Sequence, residues 1–451
     1  MSTEEKRLTI KEKFSYGLGD FGNGFMFDMG QIYLLKFYTD VFGIPAAVAG
    51  SIFLITKIFD AFMDPIAGAV IDGRKNDAEK GKFRRMMFLS SIVLGILSVF
   101  VFLSPEMSTT AKIIFAYLTY MAWGVGYSFT NVPYGALGAA MTQNPIDRAS
   151  LASWRQAGSL GALLITSVIV VPLVKQFDNP QVAWPAVVAL TSVIGVTAFY
   201  FCYKNCKEVV VAKKLSSEKQ FSVKAMARSI FTNKPLLALI FMTIFTISAY
   251  NIKSAMLIYY CQYNLGDISL MPYISFITIG CSCLGITLIP RLTKKFGKKN
   301  TALIGFAIST IADLINFIIP GDLITFTILA SIAFVGISIP NGVTWAFVSD
   351  AIDYGEWKTG ERREGITYSF FNFSRKIAQS LSGFASGIGL SLVGYVPNVQ
   401  QSAQSLLGIK GLLLLYPVIT IFCAGLVVKF LYGLSDDRHG QIVEEINTRS
   451  M

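Results

Sequence analysis

Histidine is nearly absent from this chain. The single one, His439, stands in the polar C-terminal stretch, so proton chemistry inside the apolar body falls to carboxylates rather than imidazole. Charge is scarce too. Asp, Glu, Lys and Arg make up 15% of 451 residues, against 53% hydrophobic, and the mean hydropathy is +0.54. That balance excludes an ordinary soluble domain. The six cysteines (Cys202, Cys206, Cys261, Cys281, Cys283 and Cys423) lie mostly inside apolar runs. Neither the pair four apart nor the pair two apart has a His or a second Cys pair to complete a metal site. No HExxH motif, paired Cys/His set or P-loop occurs, which argues against a metalloenzyme and against a self-contained ATP-driven pump. No cofactor and no catalytic residue is expected. A signal peptide is lacking as well: the first 13 residues are polar and charged, and the first apolar run is too long for a cleaved leader.

What is present is a series of long apolar runs. Twelve can be drawn, at 14–40, 46–71, 86–104, 111–141, 150–173, 183–203, 236–264, 270–290, 301–319, 323–351, 366–395 and 407–433. Each is long enough to cross a hydrocarbon core of about 30 Å as a helix. The expected class is therefore an all-α polytopic membrane protein of twelve spans. The net charge of +11 does not point to nucleic acid, because the basic residues alternate between loops. Lys6, Arg7, Lys11, Lys13, then Arg74, Lys75, Lys80, Lys82, Arg84, Arg85, then Arg148, the run from Lys204 to Lys234, Arg291 to Lys299, and Lys358, Arg362, Arg363 fall on one side. The other side holds almost none, with Lys175 and Lys410 as exceptions. This asymmetry places both termini in the cytoplasm.

The long loop divides the chain into an N-terminal six-helix half (1–203), a central cytoplasmic loop (204–235), a C-terminal half (236–433) and a cytoplasmic tail (434–451). The basic loops DGRKNDAEKGKFRR and RLTKKFGKKN occupy matching places in the two halves. Paired six-helix repeats are the plan of major facilitator transporters. A channel or a membrane-embedded enzyme or receptor is polytopic too.

The charged residues inside the runs narrow the choice. Lys57, Asp60 and Asp64 fall within an arc of about 60° on the second helix. Each costs roughly 2.5–3.5 kcal/mol at mid-membrane. Lys57 and Asp60 can form an i, i+3 ion pair that only rigidifies the bundle. That leaves Asp64, and two carboxylates four apart can share a cation or a proton. On the first helix, Asp20 lies near the cytoplasmic end, whereas Asn23 and Asp28 lie deeper. Asn131 with Pro133 marks a polar notch in the fourth helix. Trp154 and Arg155 stand together on the fifth, a pairing in which guanidinium donors take hydroxyls and a ring stacks on a sugar face. Arg155 can equally belong to the helix end and pair with a loop acid. The eleventh helix carries Asn372, Arg375 and Lys376. Asp353, Glu356 and Arg363, around the 10–11 loop, are candidates for a gate together with Lys57, Asp20 and Arg375.

The strings YTDVFGI, FDAFMDPIAGAVIDGR, GKFR, NVPYGAL and DAIDYGEWKTGERREGITYSFFNFSRK resemble the glycoside–pentoside–hexuronide:cation symporters, the family of the melibiose permease. The stretch RREGITYSFFNFSRKIAQ is most similar to the glucuronide and isoprimeverose/xyloside carrier branch. The resemblance implies that Asp60 and Asp64 bind the coupling cation, that Arg155 lies near the sugar and that Lys376 sits at the sugar–cation junction. It also shows departures. The family's first-helix Lys-Asp pair falls on Asn23 and Gly24, its fourth-helix aspartate on Asn131, and the nearby tryptophan on Gly135. These losses argue against an α-galactoside and favour H+ over Na+ as the coupling ion.

The expectation is thus a bacterial inner-membrane secondary transporter, working as a monomer in the lipid bilayer. It imports a small-molecule glycoside, xyloside-like or a glucuronide, by cation symport through alternating access. Asn23, Asp28, Asn131, Trp154, Arg155, Asn372 and Lys376 are the candidate sugar-binding residues. A transporter of lipid-like cargo with the same fold is the alternative.

Overall fold

Long apolar segments with their backbone groups satisfied internally must be helical in a membrane, and helices are what the chain forms. The computed structural model describes residues 7–72, 81–142, 144–209, 232–319, 322–360 and 364–450, and no strand occurs among them. Arg363 lies outside the described residues, as do Arg74, Lys75, Lys80, Arg362 and most of the central basic loop. Contacts divide the chain into two compact units, Met1–Ser217 with Pro397–Val399, and Glu218–Val396 with Gln400–Met451.

In the first unit, Thr9 opens helix α1 (Ile10–Asn23) with a capping box. The Thr9 hydroxyl accepts the Glu12 amide, and the Glu12 carboxylate accepts the Thr9 amide at 2.8 Å. The helix runs on through a π-helical turn (Gly24–Asp28) into α2 (Met29–Lys36) and a second π turn (Phe37–Val41). It is followed by α3 (Ala46–Asp72), α4 (Phe83–Val101), α5 (Thr109–Met141), α6 (Pro145–Val174) and α7 (Pro180–Asn205). Helix α1 packs on α6 and α7, α4 on α5 and α7, and α3 on α5. Small residues line the seam of α6 with α1 and the π turn that follows it. A Cβ on Gly158 would collide with the Gly17 carbonyl oxygen, and one on Gly24 with the Ala162 methyl. Small residues at such a seam are how membrane helices approach closely. After α7, Glu208 caps α4 from outside: its carboxylate accepts the amides of Lys82 (3.0 Å), Phe83 (2.8 Å) and Arg84 (2.9 Å). Three amides left open at a helix N-terminus are thereby satisfied by a distant acid.

The second unit holds α8 (Lys234–Tyr259) with a π turn (Tyr260–Asn264), then α9 (Leu270–Ile318), α10 (Leu323–Thr359) and α11 (Glu364–Leu392). After these come α12 (Ala403–Lys410), α13 (Tyr416–Leu426) and α14 (Asp436–Ser450), with π turns at Gly411–Leu415 and Val427–Leu431. Helix α9 packs on α10, and α8 on α11 and α13. Met242, Phe306, Phe347, Phe371 and Tyr432 belong to one buried apolar cluster. Two expectations need correction here. The basic loop expected at 291–300 shrinks to a turn at Gly297 (φ 78°, ψ 165°), so Leu270–Ile318 is two helices joined at that residue, with helical geometry on both sides of it. Glycine is the residue that takes this left-handed region at no steric cost. Likewise α10 does not end near 351 but continues to Thr359, where the left-handed Gly360 stops it. The C-terminal tail is not loose polar chain. It folds as α14 against α10.

Large apolar side chains also point outward. Phe62, Leu118, Val193, Tyr273 and Phe276 are all more than half exposed, as in helices whose solvent is hydrocarbon. Among the described residues, eight helices are long and apolar enough to cross a membrane.

Candidate functional site

One face of α5 carries the candidate site of the first unit. Gly124, Ser128, Asn131 and Tyr134 are spaced four, three and three apart, so they share a side of the helix. Each meets a different polar residue of the neighbouring helices.

Gly124 meets Asp60. A Cβ at position 124 would collide with the Asp60 carboxylate, so the missing side chain is what lets this acid lie on α5. Asp60 and Lys57 are both buried, with 6% of each side chain exposed, and their charged groups stand 4.0 Å apart. The Lys57 ammonium also lies 4.2 Å from the centre of the Phe27 ring. That ring stacks on Tyr127 at 3.7 Å, so the cation is held over an aromatic face. Ser128 donates to Asp64 Oδ1 at 2.7 Å. Local spacing gives Asp64 no partner, and the structure supplies one from a helix 64 residues away. Two carboxylates, an ammonium and a hydroxyl therefore share one helix-facing stripe. Oxygen donors of this kind suit a proton or a hard cation.

Asn131 and Tyr134 meet the second cluster. Asn131 Oδ1 accepts from Asn23 at 3.4 Å, and Asn23 also reaches Asp20 Oδ1 at 3.5 Å. Asp20 in turn pairs with Arg155 side-on, through Nε at 2.7 Å and Nη2 at 3.3 Å. The guanidinium lies 4.7 Å from the centre of the Tyr134 ring. Tyr134 is itself fixed. Its hydroxyl donates to the Tyr16 carbonyl at 2.8 Å and accepts the Asp20 amide at 3.2 Å. Its ring fits against α1 because Gly19 has no side chain there. Arg155 keeps 34% of its side chain exposed and Asp20 18%. A planar fork of donors with one edge engaged, a carboxylate acceptor and two amides make a surface that can exchange hydrogen bonds with hydroxyl groups.

The aromatic under Arg155 is therefore Tyr134. The Trp154 ring turns instead to Phe14, edge-on at 5.6 Å, because residues adjacent on a helix diverge by about 100°. Asp28 is half-buried in the first π turn. In the second unit, the Arg375 guanidinium lies 5.3 Å from the centre of the Trp345 ring, and Asn372 and Lys376 are half-buried on the same helix, α11. Asp353 contacts His439 of α14 at 3.0 Å. The Glu356 carbonyl accepts the Gly360 amide at 2.8 Å, closing α10.

Sequence reasoning missed four participants. Ser128, Tyr134 and Gly124 carry no signal of their own in an apolar helix, although Asn131 marked their face. The fourth is Asp313, fully buried on α9, which takes Lys253 of α8 at 2.5 Å. The Lys253 ammonium also lies 5.0 Å from the Phe334 ring centre, and a buried ion pair of this kind is costly to break from either side.

A family model described as MFS/sugar transport protein matches residues 15–436. The symporter YjmB of Bacillus subtilis, itself uncharacterized, is 61% identical over 99% of this chain and 97% of its own. A Salmonella typhimurium protein provisionally named a sulfoquinovose importer is 39% identical over 98% and 94%. The glucuronide carrier protein homolog of Escherichia coli is 33% identical over 98% and 97%. In fold, the chain is similar to the xylose transporter XylE of E. coli in its inward-open conformation. The TM-score is 0.63 at 10% identity, with 98% of each chain covered. The chain belongs to the MFS sugar transport family, a family of membrane transporters and not of enzymes.

Proposed function

We propose that this protein imports a sugar acid or glycoside together with a cation, by alternating access through twelve membrane crossings with both termini in the cytoplasm of a bacterial cell. Asp60 and Asp64 hold the cation, with Ser128 as an added ligand. Arg155, Asp20, Asn23 and Asn131 hold the sugar. The observation that carries this reading is the single face of α5, where Ser128 holds Asp64 and Tyr134 supports Arg155. A movement of that helix is felt by both clusters, which is the physical requirement for binding of one ligand to alter binding of the other. A proton is favoured over sodium, since the fourth-helix acid of the melibiose carriers is Asn131 here. Relatives named for a sulfonated sugar and for a glucuronide support an anionic sugar, while one as similar as the glucuronide relative is named for isoprimeverose, a neutral xyloside. In the second unit, Asn372 and Lys376 of α11 keep their proposed role in sugar binding, and the protein acts as a monomer.

Proteoliposomes test the core. Asp60→Asn or Asp64→Asn should abolish uptake driven by an imposed gradient. If uphill uptake survives in both, the cation assignment is wrong. Counterflow of glucuronides, xylosides and galactosides, with pH and sodium gradients imposed separately, reads the sugar and the ion together. Uptake driven by sodium alone refutes the proton.

A further inference from the structure

The Arg155 guanidinium, read above as meeting the sugar, already carries a counter-charge. Asp20 takes the Nε and Nη2 protons of Arg155 in a two-point bond, which is the geometry that a substrate carboxylate or sulfonate would itself adopt. The pair is not locked in the core. Arg155 is 34% exposed and Asp20 18%. The support beneath it is rigid: Tyr134 lies under the guanidinium and grips α1 at the Tyr16 carbonyl and the Asp20 amide. The arginine therefore has a contact with Tyr134 besides its bond to the Asp20 carboxylate. The carboxylate is also tied to Asn23 only through a 3.5 Å contact, near the upper limit for a hydrogen bond.

We propose that Asp20 is the charge-selecting residue of the site, a built-in counter-ion with which an anionic substrate group competes for Arg155. A neutral sugar binds with the pair intact, donating hydroxyls to the carboxylate and accepting from the guanidinium. An anion meets a balanced cation and gains its full attraction only as Asp20 lets go. Asp20 thus sets how strongly the site prefers acidic over neutral sugars, and the freed carboxylate on α1 reports that an anion has arrived. The inference rests on the reading that Arg155 meets the sugar.

The test compares glucuronate with glucose by calorimetry on the purified full chain in detergent. Asp20→Asn should raise the glucuronate-to-glucose affinity ratio by about tenfold. Asp20→Ser, which removes the charge but keeps a hydrogen-bonding group, should move it the same way. An unchanged or lowered ratio in either variant overturns the proposal. A second measurement needs no sugar. Phenylglyoxal modification of Arg155, read by the mass of its peptide, should be faster in Asp20→Asn than in wild type. Inorganic sulfate should protect the variant more strongly. Equal rates with equal sulfate protection overturn the proposal. If wild type takes up neither sugar into proteoliposomes, the transport reading fails, and the sulfate experiment still decides the role of Asp20.

Discussion

His439 Nε2 lies 3.0 Å from Asp353 Oδ2 and 3.5 Å from Asp350 Oδ1. The chain's single imidazole thus joins α14 to the end of α10. Lys298, just past the turn at Gly297, reaches the same Asp350 at 2.5 Å and Asp436 of α14 at 3.6 Å. Trp357 donates to Glu445 at 2.6 Å. Three helices meet at this polar corner, and Ile442 is fully buried beneath it.

That geometry makes the docking of α14 measurable. A thiol at Ile442→Cys should resist maleimide while the corner is intact. Adding His439→Ala removes two contacts, and labelling should then become several-fold faster. Equal labelling with and without His439 would show that the other contacts hold α14 alone.

Two glycines of α5 offer a matched pair of substitutions. Gly124→Ala places a methyl on the Asp60 carboxylate, whereas a Cβ on Gly135 has nothing within 4 Å. In the helix interior both changes add intrinsic stability of about 1 kcal/mol. Gly135→Ala should therefore keep uptake and raise the melting temperature. Gly124→Ala should lose most gradient-driven uptake. Loss in both would point to the helix backbone rather than to Asp60.

Tyr134 is open to a graded test. Tyr134→Phe keeps the ring under Arg155 and removes two hydrogen bonds, each worth about 1 kcal/mol. Tyr134→Leu removes the ring as well. Sugar affinity, measured by counterflow, should fall slightly in the first and by about tenfold or more in the second. Equal effects would mean that the hydroxyl, not the ring, orients the guanidinium.

Acid should weaken one identifiable tie. Lys13, 2.7 Å away, and the Leu8 amide, 3.0 Å away, hold the Asp147 carboxyl below its ordinary range. A lowered folded pKa means a contribution fully present above the unfolded value of about 3.9 and lost as pH falls through the folded one. Asp147→Asn should thus lower the melting temperature in detergent at pH 7. The difference from wild type should stay level down to about pH 5 and then shrink in stronger acid. A difference that grows on acidification contradicts the assignment.

Much of the architecture could be read from the chain, because a membrane reduces the choice of structure to helices and marks them by length. The charged stripe of Lys57, Asp60 and Asp64 stood out for the same reason: ionisable groups are rare in such runs. The face of α5 did not. Ser128 and Asp64 are 64 residues apart, and Tyr134 and Asp20 are 114 apart. Nothing in local spacing announces which helices become neighbours. The helical geometry flanking Gly297 was hidden because polar, basic sequence reads as loop, although Lys and Arg are good helix formers. Asp313 lies inside an apolar run with no charged neighbour at helical spacing, and only the third dimension brings Lys253 to it.

The Lys253–Asp313 pair has a consequence for how the protein is made. Its members are 60 residues apart, so at ribosomal rates of about 5–20 residues per second the lysine precedes its aspartate by roughly 3–12 s. For that interval α8 carries an ammonium whose native counter-charge has not yet been synthesised. Its stay in the bilayer then depends on water, lipid headgroups or the insertion machinery until α9 follows. The completed pair converts two helices that are poor guests of the membrane singly into one neutral guest, so the order of synthesis, and not only the final contacts, shapes the route by which this half is assembled.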